Sequence, residues 1–154
     1  MENTGRKKWQ SDWLLFLGIL LFLLGLLIGL CIPLMMNPRM GLTAHLEGVM
    51  NGMFLVILGL TWNRLILNDR WLSYTFWLIL YGSFANFLAV TIASITGAGK
   101  MMPIAGGKEG TPVVEGLISF LLISLALAMI FVCVVVLNGL YRNMKSRILS
   151  ESRK

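Results

Sequence analysis

The chain has 154 residues, of which 57% are apolar and only 13% charged, and its mean hydropathy is +0.80. Soluble domains carry about 25% charged residues, so this composition excludes an ordinary soluble domain despite a length that would suit one. The net charge of +6 does not point to nucleic acid either: the basic residues flank apolar runs, with no basic stripe and no interleaved aromatics, and no nucleic-acid partner is expected.

Residues 1–12 form a polar lead-in carrying Arg6, Lys7 and Lys8. The run 13–32 that follows is too long for the apolar core of a signal peptide and lacks a small-x-small cleavage site, so it reads as a retained membrane helix. Gly18, Gly25 and Gly29 give that helix a small-residue stripe suited to close packing. A short turn, Asn37–Leu42, leads into a second apolar run, 43–62, and a polar break precedes a third, 71–95, with Trp71, Tyr74 and Trp77 as interfacial anchors. The fourth run covers 113–141 and ends in a basic tail, 142–154. Each run reaches about the 20 residues that cross ~30 Å of hydrocarbon. The expected architecture is therefore all-α: a single transmembrane domain, 1–154, built as an up-down-up-down four-helix bundle among membrane lipids.

Between the third and fourth runs lies a glycine-rich segment, 96–112, that invites a phosphate-loop reading through Gly99-Lys100. That motif needs a glycine where Ser94 stands and a Ser or Thr where Met101 stands, and Gly107-Lys108 is followed by Glu109, so both frames fail. The segment reads instead as a flexible cap, with Glu109 and Glu115 solvated beside it. Counting Lys and Arg gives ten at the termini and second loop against three in the first and third loops, which places both termini in the cytoplasm of a bacterial inner membrane protein. Cys31 and Cys133 fall at different depths and fit neither a disulfide nor a metal spacing.

The second helix concentrates the chemistry. It holds the one histidine of the chain, His45, together with Glu47 and Asn51. Ionisable groups within a bilayer cost ~2.5–3.5 kcal/mol on insertion scales and so mark functional sites. On a helical wheel His45, Gly48, Gly52 and Gly59 fall near one line, whereas Glu47 and Asn51 share another face. The glycine row could be a notch in which a planar macrocycle lies with His45 on its iron, or simply a contact with another helix. A single histidine excludes a bis-histidine cytochrome and the usual zinc and di-iron ligand sets, but leaves open a proximal ligand with a free sixth position, or no metal at all. On the third helix Asn86 is the deepest polar group, suited equally to an inter-helix hydrogen bond and to a substrate contact.

The stretch Ala44-His45-Leu46-Glu47-Gly48-Val49-Met50-Asn51-Gly52-Met53, with Ala85-Asn86 on the third helix, resembles styrene oxide isomerase. Asn37-Pro38-Arg39-Met40-Gly41 and Thr96-Gly97 through Pro103-Ile104-Ala105-Gly106 make it more similar still to hydroxylaminobenzene mutase. The resemblance implies a membrane isomerase with haem b, its ferric iron bound by His45; the wheel would then set the ring beside Gly48 and Gly52. It also implies a homotrimer acting on a small aromatic substrate, with Asn51 and Asn86 as catalytic residues. The isomerase's active-site tyrosine is replaced by Val90, which favours an arylhydroxylamine over an epoxide as substrate. Two other readings remain: a proton-coupled drug exporter using Glu47, and a structural subunit of a larger membrane complex.

Overall fold

The computed structural model of the chain describes residues 2–106 and 108–151. It contains four helices, α1 (Glu2–Cys31), α2 (Pro38–Thr61), α3 (Asp69–Thr96) and α4 (Pro112–Glu151), each long and apolar enough to cross a membrane. Short connections make successive helices antiparallel, and α1 packs chiefly on α2, α2 on α3, and α3 on α4. The fold is the expected all-α bundle. One end carries both chain termini and the α2–α3 turn; the other carries the α1–α2 turn and the segment between α3 and α4.

Three helix boundaries differ from the expected ones, each for a local reason. The polar lead-in is helical from Glu2, and its side chains find partners on the end of α2 and the α2–α3 turn. Lys7 Nζ donates to the Leu65 carbonyl at 2.7 Å, Ser11 Oγ to the Gly59 carbonyl at 2.7 Å, and the buried Trp62 Nε1 to Gln10 Oε1 at 3.1 Å. The turn expected at Asn37–Leu42 is mostly the first turn of α2. Asn37 Oδ1 accepts from the Met40 N–H at 3.2 Å and Pro38 fills the first helical position, where its missing N–H costs nothing. Finally, α4 continues ten residues beyond Tyr141, since no Gly or Pro interrupts 142–151. Its 40 residues span ~60 Å, about twice the hydrocarbon thickness.

The α1–α2 contact is backbone on backbone. A Cβ on Gly25 would stand 2.7 Å from the Val49 nitrogen, and one on Gly52 would stand 2.6 Å from the Phe22 nitrogen. Gly18 and Gly48 are equally tight, against the Gly52 oxygen and the Gly25 Cα. In lipid, where apolar burial gives helices no reason to associate, such close approach maximises dispersion contact between them. The apolar core divides in two. Leu14, Leu55, Trp62, Leu72 and Phe76 fill the end near the termini, and Met40, Ala44, Val90, Ala93 and Ile118 fill the opposite end.

The segment between α3 and α4 is tied down rather than free. It starts at Gly97, whose φ of 74° is the left-handed conformation that closes a helix, and Gly97 and Gly99 pair with Lys108 through two backbone hydrogen bonds of 3.0 and 3.1 Å. Glu115, expected to be solvated, is instead 7% exposed, and its Oε1 accepts from the Gly110 N–H at 2.9 Å. A carboxylate at the start of α4 thus satisfies a loop N–H while standing at the positive end of the helix dipole.

Candidate active site

Helix α2 passes between α1 and α3 and turns a different polar group toward each. Toward α1, His45 Nδ1 lies 2.9 Å from the Gly25 carbonyl oxygen, and the ring rests over Gly29, where a Cβ would stand 2.7 Å from Nδ1. A carbonyl can only accept, so Nδ1 carries the proton and the lone pair is left on Nε2. The glycines at 25 and 29 are what allow an imidazole to sit this close to the α1 backbone.

Toward α3, Glu47 forms a three-residue cluster. Its Oε2 accepts from Asn51 Nδ2 at 2.9 Å and from Asn86 Nδ2 at 2.5 Å, and Asn51 Nδ2 also reaches the Glu47 backbone carbonyl at 2.9 Å. Glu47 and Asn51 meet because residues four apart stack on one helix face; Asn86 arrives from the neighbouring helix. All three side chains are half-buried. One turn before Glu47 on the same face, Thr43 borders a cavity of about 460 Å³ whose apolar wall comes from Met40, Met101, Met102, Pro103 and Ile104.

The structure therefore brings together two of the residues singled out from sequence, Asn51 and Asn86, and adds Glu47, which had a role only in the exporter reading. His45 stands apart from them, on the α1 side of the same helix. Gly48 and Gly52 face α1, and the notch they form is filled by Gly25, Phe22 and Gly18, which leaves no room for a planar group between these two helices. Val90 is 2% exposed, within the apolar core at the loop-bearing end. The signal for Glu47 was present in the sequence as its four-residue spacing from Asn51; the link to Asn86 was not.

A four-helix membrane bundle with an isolated imidazole and a carboxylate–carboxamide cluster on one central helix defines a small integral membrane protein with an intramembrane polar site. The profile of the styrene oxide isomerase family matches residues 10–141, and the chain belongs to that family of isomerases. It is 56% identical to hydroxylaminobenzene mutase HabB of Ectopseudomonas oleovorans over 129 residues, 82% of this chain and 79% of the relative. It is 47% identical to hydroxylaminobenzene mutase HabA of the same organism over 135 residues, 86% of this chain and 100% of the relative. No solved structure matches the chain. The protein is thus an isomerase of the membrane, and the exporter and subunit readings give way to it.

Proposed function

We propose that the protein rearranges an arylhydroxylamine, hydroxylaminobenzene in the simplest case, into the 2-aminophenol, using ferric haem b bound by His45. The observation that carries this reading is the hydrogen bond from His45 Nδ1 to the Gly25 carbonyl, taken together with the mutase relatives. Haem-ligating and metal-ligating histidines characteristically donate their second ring N–H to such an acceptor, which fixes the tautomer and makes the free nitrogen a better ligand. His45 fits that requirement; Gly48 and Gly52 do not fit a role in cradling the ring, being spent on α1.

Ferric haem, held by His45, would supply a Lewis acid for the departing oxygen. The chain's own part is to hold the substrate, keep water out and orient the reacting groups. Asn51 and Asn86, locked on Glu47, offer fixed polar contacts in a low-dielectric setting, where preorganised dipoles act most strongly. Cover over this half-buried cluster would have to exclude water, which would otherwise capture an electron-poor ring. The cavity beside Thr43 and the Met101–Ile104 wall gives an aromatic molecule an approach from the loop-bearing end.

Because His45 faces α1 while the Glu47 cluster faces α3, one chain cannot present both to a single pocket. A pocket using both draws the imidazole from one protomer and the carboxamides from its neighbour, which supports a homo-oligomer, the trimer in this reading. The half-exposed polar cluster, costly against lipid, gains cover in the same way. The charge bias of the loops supports a cytoplasmic membrane location with both termini inside.

The test is purification in detergent followed by a visible spectrum and an assay with hydroxylaminobenzene. The expected result is a Soret band, formation of 2-aminophenol without added oxidant or reductant, and loss of both in His45→Ala. An active but colourless protein would overturn the cofactor, and an inert coloured one the substrate.

A further inference from the structure

Glu47 dictates what its two neighbours can say to a ligand. A carboxylate accepts hydrogen bonds and cannot donate them, so each amide that meets it must turn its nitrogen inward. Both do so on the same oxygen: Asn51 Nδ2 at 2.9 Å and Asn86 Nδ2 at 2.5 Å from Oε2. The second N–H of Asn51 is spent on the Glu47 backbone carbonyl. Three oxygens are left over: Oε1 of Glu47 and Oδ1 of Asn51 and of Asn86, none with a hydrogen-bond partner among the described residues. Against them stands a single uncommitted N–H, on Asn86. With Glu47 ionised the orientation follows from chemistry and does not depend on telling oxygen from nitrogen in an amide.

We propose that Glu47 is the specificity-determining residue of this site: by taking the N–H groups of Asn51 and Asn86, it creates a cluster of acceptors that selects a ligand able to donate. An arylhydroxylamine carries two donors, N–H and O–H, on adjacent atoms, and can satisfy two of the three oxygens. An aryl epoxide of similar size carries none, and would bring a fourth acceptor against the cluster. A site built to receive a donor discriminates strongly against an analogue lacking it, because the site's polar groups are then left unpaired. The inference deepens the proposed reaction, resting on it for the arylhydroxylamine, but concerns recognition and not bond-making.

The test separates the two. Binding of aniline and of toluene, rings of equal size with and without N–H donors, is measured by calorimetry on the purified protein in detergent. Rates with hydroxylaminobenzene and with styrene oxide are measured in parallel. The wild-type protein should bind aniline at least ~100-fold more tightly than toluene, and Glu47→Gln, which brings an N–H of its own and frees the two asparagines to turn, should cut that ratio at least tenfold. Glu47→Gln should likewise lower the ratio of kcat/KM for hydroxylaminobenzene over styrene oxide, with its Soret band unchanged. Equal affinity for aniline and toluene in the wild-type protein overturns the inference whether or not the variant folds, as does an unchanged ratio in a folded variant. A donor preference without any 2-aminophenol formed leaves recognition standing and removes the proposed reaction.

Discussion

Asn86 and Glu47 are 39 positions apart in sequence, yet the Asn86 amide nitrogen lies 2.5 Å from the Glu47 carboxylate, so that α3 is pinned to α2 within the apolar part of the bundle. Asn51 shares the same oxygen. A carboxylate with two charge-assisted donors should couple the stabilising effects of both. Asn51→Leu and Asn86→Leu are each expected to lower the unfolding free energy in detergent by about 1–2 kcal/mol. The double variant should depart from additivity by at least about 0.5 kcal/mol, and strict additivity in the double-mutant cycle would show that the three side chains do not act as a unit.

The glycine contact between α1 and α2 leaves no room for a side chain. Gly25→Val places atoms where the Val49 nitrogen and the Gly48 backbone already stand. The helices must separate, at a cost of about 1–3 kcal/mol, and the melting temperature in detergent should fall accordingly. The same change moves the carbonyl that receives His45 Nδ1, so under the proposed haem ligation by His45 the Soret band should shift or weaken in protein that remains folded. Gly5→Val, at a glycine with nothing near it, is the control and should change neither quantity.

At the end carrying the termini, Trp62 is fully buried and its indole N–H is held by Gln10. Trp62→Phe removes the donor and leaves the buried Gln10 oxygen unpaired. A loss of about 1–3 kcal/mol is expected, read as a lowered denaturation midpoint, with Gln10→Leu in the same background recovering part of it.

Glu115 joins the inter-helix segment to α4 through the Gly110 N–H. Glu115→Ala should expose the backbone around 98–110 to limited proteolysis several-fold faster than in the parent, while Glu115→Gln, which keeps an accepting oxygen, should stay close to it. Equal cleavage rates in all three proteins would mean that the Gly97–Lys108 pairing and the Asn37–Ala105 hydrogen bond hold the segment without Glu115.

The helices themselves were legible because each apolar run is long enough to be read without knowing its neighbours. Their ends were less so. Asn37-Pro38 is both a turn signal and a helix start, and only the Met40 N–H on Asn37 Oδ1 decides between them. The helicity of the lead-in depends on Gln10, Ser11 and Lys7 meeting residues about fifty positions away, which no local pattern reveals. Within the site, the pairing of Glu47 with Asn51 was implicit in their spacing, and the arrival of Asn86 was left between two readings that the sequence weighted equally. The glycines at 48 and 52 allowed two readings for a physical reason: a missing side chain makes room for a ligand and for a helix alike, and in this fold α1 lies against them.

Interlocked main chains turn α1 and α2 into one stiff bar, unable to slide without colliding atoms or to splay without losing their close contacts. Any breathing that admits a ring-sized guest must then come from the opposite half of the molecule, where α3, α4 and the tethered span between them meet through side chains that can swing aside. The imidazole of His45, seated on Gly25 and Gly29, belongs to that bar and not to the half that can give way.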